Sequence, residues 1–64
     1  EVTKMLTIKN ASAYAANYKY IVYNLVEGEA WFFSAWNDLA KASEQAHEYG
    51  LYITERDQCE LKAW

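Results

Sequence analysis

Residues 19–36, Lys-Tyr-Ile-Val-Tyr-Asn-Leu-Val-Glu-Gly-Glu-Ala-Trp-Phe-Phe-Ser-Ala-Trp, hold two β-branched and aromatic runs on either side of Glu27-Gly28. Side chains of this kind fit a pleated, half-buried surface. Gly28 reaches positive φ without a Cβ penalty, as a two-residue hairpin turn demands. The pattern predicts a β-hairpin. Glu is less usual than Asn or Asp at the first turn position, so a four-residue loop is the alternative. Either loop predicts Leu25 opposite Ala30, Tyr23 opposite Phe32 and Ile21 opposite Ser34. Alternation then assigns Ile21, Tyr23, Leu25, Ala30, Phe32 and Trp36 to one face, and Tyr20, Val22, Val26, Trp31, Phe33 and Ala35, with Asn24 and Glu29, to the other. Both faces are largely apolar, unlike a sheet with one solvated side. One helix covers one face; the second needs the N-terminal segment, another copy of the chain, or a partner.

The flanking segments supply the helix. After Trp36, Asn37 or Asp38 is an N-cap candidate, Leu39, Ala42, Ala46 and Tyr49 follow at helical spacing, and Gly50 suits a left-handed C′ position. Lys41, Glu44, Gln45 and Glu48 are expected to point away from the sheet. An alanine-rich stretch at 11–18 places Ala11, Tyr14, Ala15 and Tyr18 on one face of a short helix capped by Asn10 or Ser12. Residues 51–54 read as a third strand, and a parallel pairing with a hairpin strand is expected through the helical crossover. Residues 2–8 alternate as a short strand would. The expected fold is a small single α+β domain spanning 1–64: a short N-terminal helix, a β-hairpin, an amphipathic helix packed on the sheet, and a third strand (αββαβ). The chain starts with Glu1, which makes Met5 a candidate natural start and residues 1–4 an appended or disordered leader. The tail, 56–64, is left open between strand, helical turn and loose end.

Length and composition narrow the chemistry. A chain of 64 residues buries only about 60% of its unfolded surface and is marginal alone. Cys59 is its one cysteine and His47 its one histidine, which excludes an internal disulfide and a closed zinc shell. No cofactor and no metal are expected. A net charge of −3 argues against wrapping nucleic acid by neutralising phosphates. No window near 20 residues is free of charge, so no membrane span is expected, and the unpaired thiol suits a reducing cytoplasm.

Candidate catalytic groups are sparse. His47 flanks the apolar helix face with no nucleophile in view, and a surface histidine is the ordinary reading. Cys59 has Arg56 and Lys62 three residues to either side; a bland thiol in the tail is the simpler account. Glu44, Glu48, Glu55 and Asp57 read as the solvated side of an amphipathic chain rather than a metal site. No enzyme is expected.

The excess of aromatic residues carries the functional expectation. Aromatic residues make up 17% of the chain, and Tyr and Trp are favoured anchors of protein interfaces. The expected partner-binding residues are Tyr20, Val22, Trp31, Phe33 and Glu29, engaging a protein or forming a homodimer. In size, acidity and aromatic content the chain resembles small proteins of phages and mobile elements that bind and block host machinery, anti-CRISPR proteins among them. That resemblance implies an inhibitor at work in the host cytoplasm. Two other expectations stand beside it. One is a self-associating structural domain. The other is a single-strand nucleic-acid binder, with Lys4, Lys9, Lys19, Arg56 and Lys62 rimming stacked rings. Acidic mimicry of phosphates would need Glu27, Glu29, Glu55 and Asp57 gathered at one end.

Overall fold

The computed structural model describes residues 6–63; the expected leader at 1–4, the first half of the expected N-terminal strand and Trp64 lie outside the described residues. Strands β1 (Leu6–Lys9), β2 (Tyr20–Val26), β3 (Glu29–Trp36), β4 (Tyr52–Glu55) and β5 (Cys59–Leu61) form one sheet in the order β4-β2-β3-β1-β5. One α-helix, α1 (Leu39–Tyr49), and two 3₁₀ helices, η1 (Ala13–Asn17) and η2 (Arg56–Gln58), complete it. The class is α+β, but the sheet is larger than an αββαβ order provides. The N-terminal segment joins it as β1, parallel to β3, and the tail joins as β5, parallel to β1. The first is the described part of the strand that the alternation at 2–8 predicts; the second settles a tail the sequence leaves open, and both are held by non-local pairing.

The hairpin turn uses two residues, with φ of 52° at Glu27 and 82° at Gly28, the double positive φ of a type I′ turn. Leu25 faces Ala30 and Tyr23 faces Phe32 as expected. Ile21 faces Ala35, not Ser34. The register steps from Val22–Ser34 to Tyr23–Phe32, so Phe33 is an extra residue on β3, a β-bulge. One inserted residue reverses every face beyond it. Ala35 therefore packs with Ile21, and Trp36 turns to the opposite side with Val22, the reverse of the expected assignment.

Each side of the sheet carries a core. On one, Ile8, Ala15, Ile21, Ala30, Ala35 and Cys59 are buried under η1, with Leu6, Tyr18, Tyr23, Phe32 and Leu61 around them. The expected helix at 11–18 is a 3₁₀ segment of five residues, too short to sustain an α-helix. Ala15 is its buried contact, as its spacing predicts; Ser12 occupies the N-cap position without a side-chain capping bond.

On the other side α1 packs Ala42 and Ala46 over Val22, with Tyr20, Trp36, Leu51 and Ile53 alongside. Asp38 caps the helix by accepting from the Ala40 N–H at 2.9 Å. Gly50, at φ 68°, ends it, and the Leu51 N–H donates to the Ala46 carbonyl at 2.7 Å. The ends of the expected stripe, Leu39 and Tyr49, are exposed. Gln45 faces the sheet instead of solvent: its Oε1 accepts from the Trp36 Nε1–H at 3.0 Å and from the Ser34 hydroxyl. A half-buried indole N–H needs an acceptor, and Gln45 supplies it. β4 pairs antiparallel with β2, not parallel with a hairpin strand. It runs parallel to β3 with β2 between them, so the β3–α1–β4 crossover spans one strand.

Candidate functional site

α1 rests on β2, β3 and β4. On the same side, the sheet continues across β3 to β1 and β5, which are not among the strands that α1 chiefly packs on. Strand alternation brings Glu29, Trp31 and Phe33 of β3 to this ledge, beside Thr7 and Lys9 of β1 and Val26 of β2. Phe33 is 44% exposed and Val26 45% exposed, while Trp31 is partly exposed. The bulge sets Phe33 against Tyr49 at the end of α1, ring centroids 5.5 Å apart. The Lys9 ammonium stands 5.7 Å from the Trp31 ring centroid and forms an ion pair with Glu29. A second pair, Lys62–Glu60, lies on β5 and just beyond it, at 3.6 Å. The result is a group of partly exposed rings, Trp31, Phe33 and Tyr49, with the Lys9–Glu29 ion pair beside Trp31.

Three of the five expected partner-binding residues thus meet: Glu29, Trp31 and Phe33. Val22 is fully buried beneath α1, out of a partner's reach, and Tyr20 packs into the same cluster. The reason is where the helix lies, which strand alternation does not reveal. Tyr49 and Lys9 complete the ledge and were not expected there; no local signal marks them, because both arrive through tertiary contacts.

The opposite side carries a second aromatic row. Tyr18, Tyr14 and Phe32 follow edge-on at 5.6 and 5.8 Å, Phe32 lies opposite Tyr23 on β2, and Tyr23 stacks on Tyr52 at 5.7 Å. Burial, with Tyr52 and Cys59 close by, pushes the Tyr23 hydroxyl above the usual tyrosine range. Tyr14 and Tyr52 remain about half exposed.

The remaining candidates resolve simply. His47 is exposed on α1. Cys59 is fully buried rather than in a loose tail. Burial raises its thiol pKa, against a weaker opposing pull from Arg56, the reverse of what an activated nucleophile requires. Among the described residues, no three His, Cys, Asp or Glu side chains group to hold a metal. Nor is any helix among them long and apolar enough to cross a membrane.

Charges are divided between the two ends of the sheet. Glu55 and Asp57 line an open cleft of about 430 Å³ together with Lys19 and Arg56. Glu27 and Glu29 sit at the hairpin turn, six residues along β2 from the Glu55 pairing, roughly 20 Å away. The four acids do not gather as phosphate mimicry would need. Nor do the described basic residues rim the exposed rings of the ledge: Lys9 lies there beside Glu29, Lys19 and Arg56 line the cleft with Glu55 and Asp57, and Lys62 shares a further cleft with Arg56 beside η1. No family model, curated protein or solved structure matches this chain.

Proposed function

We propose that the chain is a non-catalytic protein-binding module that docks its partner on the Trp31–Phe33 ledge. We place it with the small inhibitors that phages and mobile elements direct at host machinery, anti-CRISPR proteins included. The observation that carries the reading is the bulge at Phe33. It adds an aromatic side chain at the margin of the area that α1 covers, against Tyr49 and on the same face as Trp31, and leaves it half exposed. A core residue would be placed under cover. Burying Trp31 and Phe33 against a partner contributes roughly 1.5–3 kcal/mol each before ordering costs.

The test retains host proteins on the immobilised chain and on its Trp31→Ala, Phe33→Ala and Leu39→Ala variants, each first checked for folding by circular dichroism and Tm. Leu39 is an exposed apolar control at the other end of α1. The expected outcome is a partner held by the wild type and by Leu39→Ala, and weakened at least about tenfold by Trp31→Ala, as loss of an interface anchor predicts. Equal retention by all four, or unfolding of Trp31→Ala, overturns the assignment of the ledge. Sedimentation equilibrium distinguishes the self-associating alternative. A species of twice the 7.5 kDa chain mass that Trp31→Ala returns to monomer would make the partner a second copy.

A further inference from the structure

We infer that the cleft between α1 and β3 is a socket for a cationic side chain, by preference an arginine, carried by the protein that docks on the ledge. The inference rests on the protein-binding reading and specifies the chemistry of its partner. Trp36, Lys41, Glu44, Gln45, Glu48 and Tyr49 line this cleft, whose volume is about 280 Å³. It adjoins the ledge directly, because Tyr49 at its end touches Phe33.

The base of the cleft is held in place. The Trp36 Nε1–H donates to both Ser34 Oγ and Gln45 Oε1, each at 3.0 Å. With the indole N–H engaged, the ring itself is what Trp36 offers a guest. Tyr49, 59% exposed, supplies a second ring. A guanidinium stacks on such rings and donates in a planar fork to carboxylates, which an ammonium does less well.

The wall of the cleft carries the complementary charge at a local cost. Glu44 and Glu48 are one helical turn apart, and like charges at that spacing destabilise a helix. Glu48 also lies in the last turn, where the helix dipole disfavours an anion. Among the described residues neither carboxylate has an ion-pair partner. Lys41, the one cation of the lining, is three residues from Glu44 but seven from Glu48, about 10 Å along the axis. It can serve Glu44 and leaves Glu48 uncompensated. A guest cation between the rings and Glu48 relieves both local costs at once.

The probe is the blocked tetrapeptide acetyl-Gly-Arg-Leu-Gly-amide, titrated at low salt while proton–nitrogen NMR follows the Trp36 indole and Gln45 side-chain amide signals. Its twin carries citrulline, which keeps the shape and loses the charge. The expected result is movement of both signals with the arginine peptide and little with the citrulline peptide. Paired Glu44→Gln and Glu48→Gln changes should weaken binding about tenfold, and Lys41→Ala should strengthen it about twofold, as partly screened charges allow. Equal binding of the two peptides, an unmoved Trp36 indole at millimolar peptide, or indifference to the paired change overturns the socket. The ledge is tested separately: if Trp31→Ala weakens partner retention while the arginine peptide fails here, the docking surface stands and the socket falls.

Discussion

Glu27 adopts φ 52°, a left-handed conformation in which an ordinary L-residue crowds its Cβ against the following carbonyl oxygen. Asn tolerates that region better and is preferred at this position of a type I′ turn. Glu27→Asn should therefore stabilise the protein by about 0.5–1 kcal/mol, read as a higher urea midpoint at unchanged slope. An unchanged or lower midpoint would mean that Glu27 does not hold positive φ in solution. The turn was legible in the sequence because its requirement is local: Gly28 answers a backbone demand that no distant contact alters. The inward orientation of Gln45 was not legible. Its polar side chain suggests the solvated side with Lys41, Glu44 and Glu48, yet helical spacing, three residues after Ala42 and four before Tyr49, puts it at the border of the apolar stripe, where either side is open. It faces the sheet because the Trp36 indole needs an acceptor, and that need exists only once the bulge has turned Trp36 towards α1.

At the level of elements, the bulge separates the pairing of β3 from its surface chemistry. Phe32 and Ser34 keep partners on β2 on either side of the unpaired Phe33. Deleting Phe33 would make them consecutive, on opposite faces, with both pairings intact. The shortened protein should keep its circular dichroism spectrum and cooperative unfolding while losing partner retention on the ledge. A comparable deletion of Trp31 would shift the register of the neighbouring pairs and unfold the hairpin. Unfolding on removal of Phe33 would instead show that the bulge is needed for folding. The helix was well delimited in the sequence, since Asp38 and Gly50 are local stops with recognisable chemistry. Its seat over β2, β3 and β4 was not, and so neither was the burial of Val22 or the exposure of Phe33. Periodicity identifies a face of a helix or strand, but not which part of a face a neighbour covers.

For the molecule as a whole, the core under η1 ties β1, β2, β3 and β5 together, and Cys59 is its most chemically sensitive member. The thiol is fully buried and donates to the Arg56 carbonyl at 3.6 Å. Burial raises its pKa. The folded chain thus keeps the thiol proton at a pH where the unfolded chain releases it, and folding stability falls as pH rises. The contribution is fully present below the ordinary thiol range, about pH 8.5, and declines above it. Tyr23, also raised, adds a later decline around and above the usual tyrosine range. Between about pH 8 and 10 the urea midpoint should drop more steeply for the wild type than for Cys59→Ala. Parallel slopes would contradict a buried, protonated thiol.

Features whose cause lies within a few residues could be read from the chain directly. The hairpin with Gly28 in its turn, the stop of α1 at Gly50, the α+β class and the surplus of aromatic surface all follow from backbone preference and side-chain alternation, while the choice of a two-residue over a four-residue loop and of Asp38 over Asn37 as N-cap was decided in the folded chain. Features created by segments far apart in sequence required the folded chain. The alternation at 2–8 marks a strand but not its partners, and β5, in a tail left open between strand, turn and loose end, exists by pairing with β1, which pairs in turn with β3. The bulge at Phe33 is one residue of mismatch between two strands, visible only when both are aligned. Trp31 and Phe33 are left accessible, and Val22 is not, because α1 is narrower than the sheet on which it lies.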